Sequence, residues 1–169
     1  MKEESSWLNE CMKVMPDVKR GRKVTISYAR TPKNVLARVK GKVMMNREVD
    51  AVRLLLQGET STRIRRRMPK EYVIHINENI SRIPETALRQ QVVQYLIIHE
   101  LLQIINKDLL TLSKKYGKRK EKKIHTSQFD KELLTRYNKV RINGGMKPIR
   151  NHKALEEAVN KIVSKILPS

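Results

Sequence analysis

The sequence predicts an α+β fold in which a small antiparallel sheet of about three strands packs on one long helix. Residues 24–28 and 72–77 are β-branched and aromatic runs, which are typical of strands. Residues 85–105 place apolar side chains along one broad stripe of a long helix. The chain has 169 residues, of which 39% are apolar, enough for one core built mainly from Leu, Ile, Val and Met.

The first half of the chain alternates between helical and extended patterns, with breaks at Pro16, Gly41 and Gly58. Pro16 ends an amphipathic opening helix, Gly41 kinks a strand whose basic side chains face water, and Gly58 closes a helix. In chain order the predicted elements are a helix over residues 2–18, strands over residues 24–28 and 35–45, and a helix over residues 46–57.

The second half begins with the clearest strand and is otherwise helical. Pro84 and Glu85 suit the start of the long helix, because proline is accepted in the first turn and a carboxylate favours the helix N-terminus. Asn143, Gly144 and Gly145 form a strong break, and Asn151 can cap a last helix. The predicted elements are a strand over residues 72–77 and helices over residues 85–105, 125–140 and from residue 151 onward.

The chain is strongly basic, with 37 Lys and Arg against 17 Asp and Glu and a formal net charge of +20. The excess lies in residues 19–23, 63–67 and 114–123. Such a surface attracts polyanions such as nucleic acid, although solvated loops have the same composition. No zinc-finger spacing or aromatic RNA-binding stretch indicates base-specific recognition. The predicted nucleic-acid contacts are Arg63, Arg65, Arg66, Arg67, Lys114, Lys115, Lys118, Arg119, Lys120, Lys122 and Lys123.

Cysteine content and hydropathy predict a cytoplasmic protein without a membrane partner. Cys11 is the single cysteine of the sequence, so neither an intramolecular disulfide nor a cysteine cluster for zinc is possible. Residues 1–6 lack the apolar core of a secretory signal. The longest apolar run is broken by His99 and Glu100 and is too short to span a bilayer.

Residues 95–103 of the long helix match the zinc-protease pattern H-E-x-x-H at every position except the last, which is Gln103. In that pattern, two histidines one helical turn apart bind one zinc ion together. The glutamate beside the first histidine deprotonates the metal-bound water. His99 and Glu100 occupy the first two positions, and His125 opens the next helix with Phe129 one turn later.

A long helix carrying H-E-L-L, followed by H-x-x-x-F at the start of another helix, resembles the SprT/Spartan- and YgjP-like zinc metallopeptidases and the related minigluzincins. The resemblance covers residues 24–137 and implies a zincin-like core. It implies that His99 and His125 are zinc ligands and that Glu100 is the general base. Spartan-type proteases act on proteins bound to DNA, which agrees with the basic charge. The chain then divides into an N-terminal helical extension at residues 1–22, the zincin-like core at 23–141, and a C-terminal linker and helix at 142–169.

Gln103 departs from that family at the position of the second zinc ligand. A neutral amide oxygen is a poor zinc ligand beside an imidazole, so we expect a loss of several kcal/mol from the roughly 10–16 kcal/mol of a good structural site. Zinc is therefore expected to bind weakly or not at all. Asp108, Glu132 and His75 are the candidate replacements, and each is also a plausible surface residue.

Three functions remain open from the sequence. The favoured one is a zincin-like protein with a degenerate metal site that acts at nucleic acid through its basic surface, with a protein as a further partner. The second is an active but atypical zinc metallopeptidase. The third is a DNA-, RNA- or ribosome-associated binding protein that is not an enzyme.

Overall fold

The computed structural model describes residues 2–19, 22–32, 35–41, 71–106 and 127–166. Within these ranges the chain combines one three-stranded sheet with α-helices, which confirms the α+β class. The helix predicted over residues 46–57 lies outside the described residues. The elements are α1 (Lys2–Lys13), α2 (Pro16–Lys19), β1 (Lys23–Ala29), β2 (Ala37–Gly41), β3 (Glu71–Asn77), a 3-10 helix (Glu78–Arg82), α3 (Thr86–Asn106), α4 (Ser127–Asn143) and α5 (His152–Val163).

The sheet has the order β1-β3-β2 and is mixed, so the prediction of an antiparallel sheet is wrong for β1. β1 runs parallel to β3, with Ile26 opposite Ile74. β2 runs antiparallel to β3, with Val39 opposite the same Ile74. The chain between β1 and β3 is much longer than the dozen or so residues that a parallel connection needs. Alternation of apolar and polar residues does not depend on strand direction, so the sequence pattern could not reveal this pairing.

The two faces of the sheet differ in polarity because successive side chains of a strand point to opposite sides. Tyr72, Ile74 and Ile76 of β3 are buried, as is Val39 of β2 on the same face. These side chains pack into the core that α3 shares. His75 and the residues two positions away from it along β3 point to the other face.

Helix α3 is buried on most of its circumference, which differs from the single stripe that the sequence predicted. Leu96 and Leu102 of the predicted stripe are buried, but Val93, Ile97 and Leu101 are buried as well. Such a helix lies between layers instead of on a surface. The sheet and α1 contact it, and so do α4 and α5.

The flanking helices begin and end where their terminal residues indicate. Pro16 starts the short helix α2 instead of only ending α1, in agreement with the preference of proline for a first helical turn. Gly145 has a φ of 75° and follows α4, and the Met146 N–H donates to the Arg141 carbonyl (2.8 Å), which forms a Schellman cap. Asn151 caps α5 by accepting a hydrogen bond from the Ala154 N–H (2.8 Å), as predicted.

One hydrophobic core joins the described parts of the chain. Trp7 of α1 and Leu155 of α5 belong to it together with the side chains of the sheet and α3. In the described ranges, no helix is long and apolar enough to cross a membrane. The division of the chain into an extension, a zincin-like core and a C-terminal part, with boundaries at residues 22 and 141, stays a prediction. It depends on resemblance to a family and not on packing.

Candidate functional site

His99 and Glu100 lie in the second half of α3, against the outer side of β2. The Glu100 side chain is only 3% exposed. Its Oε2 accepts a hydrogen bond from the Val39 N–H of β2 (2.8 Å). Its Oε1 lies 3.1 Å from His99 Nδ1. Each carboxylate oxygen therefore has a partner within the protein, as a buried carboxylate requires.

The Val39 N–H is available to Glu100 because of the position of β2 in the sheet. The Leu36 carbonyl accepts from the Asn77 N–H (2.8 Å), so the alternate residues Arg38 and Lys40 also direct their backbone groups toward β3. The backbone groups of Val39 point to the opposite side. β2 has only β3 beside it among the described strands, and the carboxylate of α3 reaches the N–H that the sheet leaves unpaired.

The His99 ring is held among aromatic side chains of two helices. Phe129 of α4 meets it edge to face, with 5.3 Å between ring centroids. Tyr95, one turn earlier in α3, lies 6.3 Å away and in turn packs edge to face on Tyr137 at 6.0 Å. Burial is the main reason that the pKa of Tyr95 rises to about 12, with the carboxylates of Glu156 and Asp130 adding to it. The aromatic wall therefore stays uncharged at neutral pH.

Gln103 lies beside His99, as the four-residue spacing predicts. Its Nε2 is 3.5 Å from His99 Nδ1, at the limit of a hydrogen bond. Glu100 Oε1 is closer to the same nitrogen, so we assign the Nδ1 proton to the bond with Glu100. In that tautomer the ring carries its lone pair on Nε2.

The described residues do not fit a zinc centre. Zinc needs three or four His, Cys, Asp or Glu ligands that converge on one point. In the described ranges, no group of three or more such side chains is arranged to hold a metal ion. His99 is accompanied by an amide and by a carboxylate whose two oxygens are both engaged. His125, the predicted third ligand, lies outside the described residues.

The two candidate replacements that the structure describes, Glu132 and His75, do not converge on His99 either. Glu132 of α4 forms an ion pair with Arg136 one turn later (2.7 Å). Arg136 also binds the Val14 carbonyl (3.1 Å), so this pair belongs to the contact with the N-terminal helices. Asp108 lies outside the described residues. His75 projects from the face of β3 opposite to the buried Ile74, and the sheet separates it from His99.

The surroundings of His75 form a polar site that the sequence reasoning did not identify. Its Nδ1 is 2.8 Å from Ser27 Oγ on β1, and Arg38 of β2 is its partner across the other edge of β3. The pKa of His75 is lowered by burial first and then by the charges of Lys40 and Arg38. In the sequence, the alternating basic residues of β2 predicted a strand face exposed to water. They did not indicate which residues of the other strands share that face.

The predicted nucleic-acid contacts at residues 63–67 and 114–123 lie outside the described residues. Of the first basic segment, Lys19 is the last residue of α2, Arg22 is described, and Lys23 is the first residue of β1. The nucleic-acid contacts at residues 63–67 and 114–123 therefore stay predictions.

Comparison with the models of known families, with curated proteins and with solved structures gave no match for this chain. The functional conclusions therefore depend on the residues and geometry described above.

Proposed function

We propose that this protein is a zincin-like protein with a degenerate metal site, which acts at nucleic acid and does not hydrolyse peptides efficiently. The observation that carries the proposal is the engagement of Glu100. A general base needs a carboxylate oxygen directed at the attacking water. In this protein one oxygen accepts from the Val39 N–H and the other lies beside His99 Nδ1.

The zincin-like part of the proposal is supported by what surrounds His99. The H-E pair lies on a long helix against an edge strand, and a residue from the start of the next helix contacts the imidazole. That residue, Phe129, follows His125 by four positions in the sequence.

The degenerate part is supported by Gln103. Its amide occupies the position one turn after His99 that a second imidazole would take, and its Nε2 is 3.5 Å from His99 Nδ1. Without that second imidazole, zinc would have too few strong ligands for tight binding or for activation of water.

The nucleic-acid part is supported by the net charge of +20. A chain of this charge releases counterions when it binds a phosphate backbone, which gives affinity without base recognition. The protein partner stays a prediction.

The substitution Gln103→His tests the metal site directly. We expect zinc affinity to rise by about 100-fold or more, since several kcal/mol of ligand binding are restored. Zinc per chain is measured by mass spectrometry of the metal after equilibrium dialysis. Gln90→His is the matched control, because it adds the same side chain to the same helix far from His99.

Two outcomes would contradict the proposal. Equal zinc content in Gln103→His and in the wild type would mean that the new imidazole finds no other zinc ligands beside it. The zincin-like arrangement would then be rejected. Near-stoichiometric zinc in the wild type would instead support the active metallopeptidase, the second candidate function. The contact between Phe129 and His99 favours that candidate, because Phe129 is the last residue of the H-x-x-x-F pattern on which the resemblance depends.

A further inference from the structure

We propose that the face of the sheet opposite α3 binds the phosphodiester backbone of duplex nucleic acid. The inference rests on the proposed action at nucleic acid and names the surface that makes the contact. This surface, called the open face below, is distinct from the basic segments that the sequence indicated. Its polar side chains are Lys23, Thr25, Ser27, Arg38, Lys40 and His75, together with the carboxylate residue Glu71 beside Lys23.

Strand register brings these side chains into three rows across the sheet, and Lys23 shares the outermost row with Glu71. Ser27 and Arg38 both lie opposite His75, one on each side of β3. Thr25 and Lys40 both lie opposite Val73 in the next row. Neighbouring strands are about 4.8 Å apart, and alternate residues of one strand about 7 Å apart. The cations of β2 and the hydroxyl groups of β1 therefore lie within the width of one nucleic-acid backbone.

Among the described residues, two of the three cations of the open face lack protein counterions, whereas Lys23 lies opposite Glu71 in the strand register. Within the described ranges, neither Arg38 nor Lys40 forms an ion pair with a carboxylate, whereas Arg89 and Arg136 both do. The Arg38 side chain is half-buried and Lys40 is exposed. A guanidinium presents a rigid fork of donors that suits phosphate.

His75 adds a neutral donor to this surface. Its pKa is lowered by burial and by the adjacent Lys40 and Arg38, so the imidazole is uncharged at neutral pH. When the Ser27 hydroxyl donates to Nδ1 across their 2.8 Å contact, the ring proton is on Nε2. That N–H can donate to a phosphate oxygen between the two cations.

The composition of the open face favours a duplex over a single strand. Proteins that bind single strands stack the bases on aromatic side chains. In the described strands, Tyr28 and Tyr72 both lie on the face toward α3, since Tyr28 pairs in register with the buried Ile76 and Tyr72 is itself buried. Apart from Glu71 at its end, the open face offers cations, hydroxyls and an imidazole, which contact a backbone and not base planes.

The double substitution Arg38→Gln with Lys40→Gln tests the inference. Fluorescence anisotropy with a labelled duplex DNA of mixed sequence measures affinity between low and moderate salt. We expect binding to weaken by at least about tenfold near 0.1 M salt, and the slope of log K against log salt to fall in magnitude by about 2. The charge-preserving pair Arg38→Lys with Lys40→Arg should keep most of the wild-type affinity and slope.

Lys153→Gln with Lys161→Gln is the matched control, because it removes the same charge from exposed positions of α5. Full affinity in the Arg38/Lys40 variant overturns the inference, and so does an equal loss in the control pair. Equal or tighter binding of a single strand or of phosphatidylserine vesicles also overturns it. Absence of duplex binding by the wild type at low salt rejects the proposed action at nucleic acid itself, which separates the two failures.

Discussion

The two faces of the three-stranded sheet use the same kinds of residue in opposite ways. Toward α3, the edge N–H of Val39 and the imidazole of His99 are both bound to one buried carboxylate, Glu100. On the open face, His75 meets a hydroxyl group and two cations that no carboxylate of the described residues pairs with. Burial explains the difference, because a charge removed from water must be matched within the protein, whereas a charge beside water need not be.

The difference between the two faces predicts that the face toward α3 contributes mainly to stability and the open face mainly to binding. Both oxygens of the buried Glu100 carboxylate have partners within the protein, one of them on β2, so we expect substitutions there to loosen the fold. The open face keeps donors for a ligand, so we expect substitutions there to change affinity and salt dependence. Successive residues of one strand point to opposite faces of the sheet. Substituting two adjacent residues therefore compares the two faces at nearly the same place in the molecule.

The largest effect is expected for Ile74→Ala compared with Val73→Ala. Ile74 is fully buried against α3, so its truncation should lower the free energy of unfolding by about 2–5 kcal/mol. Val73 is half-buried on the open face and should cost about 1 kcal/mol or less. Urea unfolding measures both variants. Equal losses would mean that the two faces are equally packed and would break the comparison.

A smaller loss is expected for Glu100→Ala, about 2–4 kcal/mol, because the buried Val39 N–H loses its acceptor and a cavity forms. Glu100→Gln should cost about half as much, since an amide oxygen can still accept from Val39. Unfolding by urea at constant pH measures the pair. If the alanine variant were as stable as the wild type, the carboxylate would not fasten α3 to β2.

The smallest effect concerns His75 and pH. Its folded-state pKa lies below the ordinary value of 6.5, so the unfolded chain binds more protons as the pH falls below that value. The free energy of unfolding should therefore decrease on acidification through this range, and the decrease is complete once the pH is below the folded-state pKa. Unfolding at several pH values compares the wild type with His75→Gln, in which this component should vanish. An identical pH profile in the two proteins would mean that His75 is not desolvated by its neighbours.

The sequence predicted local structure well where the local signals agree. The strands around Ile26 and Ile74 and the long helix of His99 lie where apolar patterning indicated, within a residue or two. The cap at Asn151 and the glycine at position 145 are correct, because capping and a positive φ depend on a few adjacent residues. The neighbouring positions of His99 and Gln103 also follow from helical spacing alone.

The candidate site was less predictable, because its contacts join distant parts of the chain. Glu100 is predicted to be a general base, and helical spacing gave no indication that the Val39 N–H would be one of its partners. His75 was considered as a spare ligand, yet β3 directs it to the other side of the sheet. Neither result could be read from spacing, since both depend on which edge of β2 meets α3.

The sequence by itself determined the class of fold, the positions of the described strands and helices, and the cationic character of the protein. These properties follow from side-chain periodicity, terminal residues and charge, which are local or additive. Only the tertiary structure decided the parallel pairing of β1 with β3, the partners of Glu100 and the grouping of Ser27, His75 and Arg38 on one surface. Strand order and direction leave no trace in an alternating pattern, so the chain must fold before distant residues acquire these neighbours.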